Sequence, residues 1–272
     1  MGAPSTSTVR DVDGDRFTWR ERGEGPLVVL LHGLGGSRLS WEPQLATLGD
    51  RRRVAAWDLP GYGRSAPLPD TTVPFRSLAA AAADWIAALA AGPAHVVGIS
   101  MGGMIAQYLA AWHPDTVRSL TLMSSSPRFG LDGTSPATWS AARLAPLDEG
   151  LEPADFSERV LRAIAGPRIT DEALAEQRVA MSCVSGTALR RSIECVVTHD
   201  SRSLLPSIVH PTLVLVGEFD RETPPEYSQY IADHVPHATL VVVPHAGHLL
   251  NVEAPDQVNR LITQHLTAVE AT

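Results

Sequence analysis

Between His95 and Gly103 the chain reads His-Val-Val-Gly-Ile-Ser-Met-Gly-Gly. An apolar run stops at Gly98-Ile99-Ser100-Met101-Gly102. A helical pattern starts at once, with Met104, Ile105, Tyr108 and Leu109 on one face. A strand that turns straight into a helix strains the backbone of the residue at the turn and lifts its side chain clear of the sheet. Side chains two before and two after Ser100 would collide. Gly98 and Gly102 remove that collision, and Gly103 lets the helix sit close to the strand. The helix start also aims free N–H groups and a partial positive charge at the space beside Ser100. The stretch predicts an exposed hydroxyl nucleophile with an anion site next to it.

The same alternation runs through most of the chain. Arg16 to Arg22 reads as an edge strand with Phe17 and Trp19 on one face. Pro26 to Leu31 and Arg53 to Trp57 are short continuous apolar runs, the mark of strands buried on both faces. Ser37 or Ser40 can cap a helix that carries Trp41, Leu45 and Leu48. An alanine-rich helix spans roughly Phe75 to Ala91. Val117 to Met123 is a further strand. From about Arg128 to Ser207 there are helical patterns, such as Phe156 to Ala165 and Asp171 to Val184, but no convincing strand. Strands return at Pro211 to Val216 and Ala238 to Val243, with a helix opened by Pro224-Pro225 and running to about His234 between them and a closing helix to about Leu266. This predicts an α/β fold with a mostly parallel, doubly wound sheet of about eight strands. Residues 1–127 and 208–272 form the core domain, and 128–207 a helical cap lying over it.

Composition removes several chemistries. All 22 basic residues are arginine, so Schiff-base chemistry by lysine is excluded. The net charge of -8 argues against a nucleic-acid partner. The one basic cluster, Arg51-Arg52-Arg53, reads as a solvated turn. Cys183 and Cys195 make no disulfide framework and have no metal-ligand spacing, so both read as small buried residues. His245 and His248 lie three apart with no third ligand nearby, so no metal site is expected. No apolar stretch is long enough to span a membrane, and Met1 to Asp15 lacks a signal-peptide core, so a cytoplasmic enzyme without a membrane partner is expected.

In open α/β sheets ligands bind beyond the carboxyl ends of the strands. His32, Ser100, Asp220 and His248 lie at such ends. A serine hydroxyl needs a base, and His248 follows the last strand in a loop that Gly247 can aim. A histidine base needs an acid to fix its tautomer; Asp220, just after the preceding strand, suits that role. Asp58 also ends a strand, but it starts a Pro-Gly turn and reads as a structural acid bonded to backbone N–H groups. His32 reads as a structural hydrogen-bonder. The N–H groups of Met101 and Leu34 are placed to form an oxyanion hole. Ser100, Asp220 and His248 then occur in the nucleophile–acid–histidine chain order of the α/β-hydrolase fold.

Over nearly its whole length the chain resembles an α/β-hydrolase. His32-Gly33 matches the oxyanion loop, and Asp58-Leu59-Pro60-Gly61-Tyr62-Gly63-Arg64-Ser65 the loop after the next strand. Gly98 to Gly103 matches the nucleophile turn, Gly217-Glu218-Phe219-Asp220 the acid, and Gly247-His248 with Asn251, Glu253 and Pro255 the histidine segment. Within the fold it is most similar to the 3-oxoadipate enol-lactonase-like esterases and lactonases. The similarity rests on Ser100 to Gly103, on Asp220 followed by Thr223-Pro224-Pro225-Glu226, and on the stretch with Cys195 and Asp200. It implies a serine hydrolase of carboxylic esters or lactones that works through an acyl-enzyme, with a small-molecule substrate and no cofactor. A carbon–carbon bond hydrolase of the same fold and a non-catalytic small-molecule receptor are the alternatives. Trp41, Arg128, Phe129, Trp139, Arg143, Met181 and Leu249 are candidates to line the substrate pocket. The carboxylates that accompany the cap's arginines predict an apolar substrate rather than a dicarboxylate, which would need Arg128 or Arg143 unpaired and turned inward.

Overall fold

The computed structural model describes residues 8–69 and 73–272. Of the Met1 to Asp15 segment, residues 1–7 therefore lie outside the described residues. The eight strands are β1 (Arg10–Asp13), β2 (Thr18–Arg22), β3 (Leu27–Leu31), β4 (Arg53–Trp57), β5 (Ala94–Ile99), β6 (Val117–Met123), β7 (Thr212–Gly217) and β8 (Ala238–Val243). The helices are α1 (Glu42–Leu48), α2 (Phe75–Ala88), α3 (Met101–Trp112), α4 (Pro136–Asp148), α5 (Pro153–Ile164), α6 (Asp171–Ser182), α7 (Gly186–Val196), α8 (Pro225–His234), α9 (Leu250–Glu253) and α10 (Pro255–Glu270). The strands make one sheet in the order β1-β2-β4-β3-β5-β6-β7-β8. β1 and β2 pair antiparallel, and every pairing from β4 to β8 is parallel.

The continuous apolar runs are buried on both faces, as their lack of alternation requires. In β3, Leu27, Val29 and Leu31 join the core that holds Trp57, Trp85, Leu78 and Ile105, under α2 and α3. Val28 and Leu30 join the opposite core with Trp41, Leu45, Val258 and Ile262, under α1 and α10. Each such side chain contributes about 1.5–3 kcal/mol by leaving water. The central strands are therefore held from both sides, and the strand ends that carry the site rest on a rigid base. Among the described residues no helix is long and apolar enough to cross a membrane.

Three local expectations change. Arg16 to Arg22 is not the edge: β2 lies between β4 and β1, and β1 forms the edge. β1 reads Arg-Asp-Val-Asp, so it carries no apolar pattern to announce it. The arginine cluster is not a solvated turn. Arg52 is buried and bonds Glu270 at 2.9 Å and Thr267 at 3.0 Å on α10, and Arg53 bonds Glu21 at 3.0 Å. Trp41 does not line a pocket. It is fully buried in the second core, below the turn that Ser37 caps together with Ser40.

Between β6 and β7 the alternation gives way to α4 to α7, with α5 packed on α6 and α4 on α7. The two ends of this insertion are tied together. Phe129 N–H donates to His199 O at 2.9 Å, and Ser201 N–H to Pro127 O at 2.9 Å.

Candidate active site

Ser100 sits between β5 and α3 with φ 53° and ψ -119°. A non-glycine residue there costs about 1–3 kcal/mol and persists only when its surroundings fix it. They do: Ser100 N–H donates to Met123 O at 2.9 Å, while Ser100 O accepts from Met104 N–H and from Ser125 Oγ, each at 3.0 Å. The glycines act by close approach. A Cβ on Gly98 would lie 2.4 Å from Gly102 O, so it would meet the backbone of the turn rather than another side chain. A Cβ on Gly102 would instead strike Leu31 O, at 1.9 Å, so Gly102 serves the contact of the turn with β3.

Asp220 and His248 meet from the loops after β7 and β8. His248 Nδ1 lies 3.0 Å from both Asp220 oxygens. A carboxylate can only accept, so Nδ1 carries the proton and Nε2 is left with a free lone pair. The acid is itself pinned: Thr223 Oγ1 donates to Oδ2 at 2.9 Å, and the N–H groups of Glu222 and Thr223 each donate to Oδ1 at 3.0 Å. Both side chains are buried. For Asp220, burial opposes the charged form, but the charge and hydrogen bond of His248 and the Thr223 N–H outweigh it and hold the carboxyl below its usual range. For His248, burial pulls the other way; Asp220, with Glu222 and Glu253 behind it, lifts the imidazole above its usual value.

The loop after β3 lies against the serine. A Cβ on Gly33 would come within 3.1 Å of Ser100 Cβ, and Leu34 follows on the wall of the same cavity. His32 braces this loop. Its Nδ1–H donates to Gly33 O at 2.9 Å, and Nε2 accepts Leu59 N–H at 3.0 Å. Full burial lowers its basicity, so it stays neutral in these bonds. Asp58 is also structural, though not through its own turn. It accepts from Thr18 Oγ1 and from Arg38 N–H, each at 2.9 Å, and pairs with the Arg38 guanidinium.

Ser100 and His248 line one cavity of about 250 Å³. Leu34, Phe129, Trp139, Arg143, Met181 and Leu249 line it too. Arg128 does not. It is exposed, and its backbone bridges to Asp200 at the neck of the insertion. The Met101 side chain lies in the core, and its backbone opens α3 directly after Ser100. Sequence reasoning missed Val160, Leu161 and Ile164 of α5, and Arg221, Glu222 and Tyr227 beside the acid. The first three alternate with charged residues along an amphipathic helix, which marks a buried face but not a pocket wall. Arg221 and Glu222 directly follow Asp220, and that proximity was the available signal; Tyr227 comes from α8.

Residues 26–255 match the α/β-hydrolase fold family. The chain is 35% identical, over 252 residues, to a pimeloyl-acyl-carrier protein methyl ester esterase of Chromobacterium violaceum, covering 90% of this chain and 95% of that one. Among solved structures it resembles a thermophilic esterase from Thermogutta terrifontis, with malate bound, at a TM-score of 0.80 and 28% identity, covering 96% and 99% of the two chains. It shares the fold of the enol-lactonase from Burkholderia xenovorans LB400 at a TM-score of 0.82 and 24% identity, covering 98% and 99%. Family match, sheet order and the geometry at Ser100 agree: the chain belongs to the α/β-hydrolase family and is an esterase-type hydrolase.

Proposed function

We propose that Ser100, His248 and Asp220 form a catalytic triad that hydrolyses a neutral carboxylic ester or lactone through an acyl-enzyme. The observation that carries this reading is the placement of His248. Nδ1 is held by Asp220, and the ring lines the cavity it shares with the strained Ser100. His248 Nε2 takes the Ser100 proton as Oγ attacks the ester carbonyl, and Asp220 stabilises the imidazolium. The N–H groups of Met101 and Leu34 receive the oxyanion; each such donor is worth about 10²–10³ in kcat. The imidazolium returns its proton to the departing alcohol. Water, deprotonated in turn by His248, then releases the acid and frees Ser100. No step needs a metal or cofactor.

The cavity supports a small to medium, largely apolar acyl group. Leu34, Phe129, Trp139, Met181 and Leu161 supply apolar walls. Three of these, Trp139, Leu161 and Met181, come from the inserted helices within the 128–207 cap. The one arginine of the two candidates that reaches the cavity, Arg143, is already paired with Glu222. The methyl ester named for the Chromobacterium relative is consistent with an uncharged scissile group.

Labelling with a fluorophosphonate, followed by peptide mass spectrometry, tests the nucleophile alongside a turnover panel of alkyl esters and lactones. Label is expected on Ser100 alone, and Ser100→Ala should lose on the order of 10⁴- to 10⁶-fold in kcat. Label on another serine, or an active Ser100→Ala, overturns the assignment.

A further inference from the structure

The cavity wall carries two cations, Arg143 and Arg221, and two carboxylates, Asp132 and Glu222, apart from the histidine. They are not equivalent. Arg221 is exposed. Asp132 bonds the Thr134 N–H at 3.0 Å, in its own loop. Arg143 is built in. Its guanidinium lies 4.1 Å from the Trp139 ring centre, and Trp139 meets Phe129 edge to face at 5.1 Å. The end of the guanidinium pairs with the carboxylate of Glu222, across from α4 to the loop that holds Asp220. Each partner's side chain is only 30% exposed.

This arrangement decides which acyl chains the wall accepts. A guanidinium stacked on an aromatic ring beside an apolar cavity is a ready site for a carboxylate. Here Glu222 already fills it from within the chain. A substrate carboxylate reaching Arg143 has to displace Glu222, and the displaced carboxylate, held in the acid loop, then faces the incoming anion as a like charge. An uncharged chain meets neither obstacle. Partial exposure screens both effects, so discrimination of roughly tenfold is expected, corresponding to about 1.4 kcal/mol.

We propose that Glu222 is a specificity-determining residue: by occupying Arg143 it makes the cavity select esters with uncharged acyl chains over those whose chains end in a carboxylate. This rests on the ester-hydrolase reading of Ser100. Glu222 also faces His248, together with Asp220 and Glu253, but an effect on the base acts on both substrates alike and cancels in their ratio.

Methyl hexanoate and monomethyl adipate have the same chain length and differ by the terminal carboxylate. The readout is the ratio of kcat/KM, anionic over neutral. In the wild type it should be about 0.1 or lower. Glu222→Gln should raise it about tenfold or more, chiefly through KM for the adipate. Adding Arg143→Ala to Glu222→Gln should erase that gain. Arg143→Ala alone leaves Glu222 unpaired against the cavity and should lower the ratio further. A wild-type ratio near one, or an unchanged ratio in Glu222→Gln while the neutral ester is still hydrolysed, overturns the role of Glu222 alone. Failure of the wild type to hydrolyse either ester overturns the ester reading and this proposal together.

Discussion

Glu253 accepts the backbone N–H of Gly247 at 2.8 Å, one residue before His248. The same buried carboxylate takes the N–H of Gly166 at 2.9 Å and of Leu249 at 3.0 Å. One side chain therefore grips the backbone on both sides of His248 and ties it to the loop after α5. His248 N–H donates to Ile164 O at 3.1 Å, which closes the same seam. Glutamine has the shape of this residue but only one acceptor oxygen, and its amide NH₂ would face a backbone N–H. An unsatisfied buried donor costs about 1–3 kcal/mol.

The charge of Glu253 matters as well. The groups facing His248 are Asp220 and Thr223 from the acid loop, Glu222 beside them, and Glu253 from α9. The carboxylates raise its pKa against burial. As the proposed base, His248 is active only when neutral, so in the wild type kcat/KM should fall below a pH higher than the ordinary imidazole value of about 6.5. Glu253→Gln removes one negative charge and should move that acidic limb to lower pH, while also lowering Tm. A pH profile of kcat/KM checks it; a limb that stays in place or moves upward would show that Glu253 holds the loop without acting on the base.

Asp58 and Asp220 both end strands, and the structure separates them. Asp58→Asn breaks a buried pair with Arg38, whose remaining carboxylate partner at this distance among the described residues is Asp11, at 3.0 Å. That should cost on the order of 3 kcal/mol in stability, with kcat held within about tenfold. Asp220→Asn should lose on the order of 10⁴ in kcat by favouring the wrong His248 tautomer. Its stability signature is different. Asp220 has a lowered pKa, so its contribution is present above the unfolded value and is lost as pH falls through the folded one. His248 has a raised pKa, so its contribution is full below the unfolded value and is lost as pH rises through the folded one. The pair should therefore stabilise the wild type most between about pH 4 and pH 6.5, and Asp220→Asn should flatten that maximum in urea melts. Loss of turnover in Asp58→Asn, with Asp220→Asn active, would reverse the two roles.

The central strands were legible because they are buried on both faces. Leu27 to Leu31 has no polar residue to confuse its period, and the same holds for Thr212 to Gly217 after its first residue. Ser100, Asp220 and His248 stood out because each follows such a run, where the chain must turn. The pocket wall was not legible for a different reason. Trp41 and Trp139 are the same residue type near a helix start, yet one fills a core and the other lines the cavity. What separates them is the packing of the inserted helices, which depends on contacts distant in sequence. Arg143 and Glu222 lie 79 residues apart, and no periodicity links them. β1 escaped notice because an edge strand can be almost wholly charged.

The backbone at Ser100 offers a test that separates strain from chemistry. Its φ of 53° with ψ of -119° is a conformation that glycine adopts freely and residues with a Cβ do not. Ser100→Ala keeps the Cβ and hence the strain, so its Tm should stay near that of the wild type. Ser100→Gly removes the Cβ. It should recover part of the roughly 1–3 kcal/mol held at such a site, less the 0.5–1 kcal/mol that a more flexible unfolded chain costs, about. A net gain on the order of 1 kcal/mol corresponds to roughly 2–4 °C in Tm for a chain of this size class. Both variants should be equally inactive, since neither has an oxygen to deliver. Paired thermal melts and ester assays decide the matter. A Ser100→Gly protein that melts below Ser100→Ala would show that the turn is held without strain, and that the serine stands where it does because its bonds to Met123 and Ser125 favour that backbone outright.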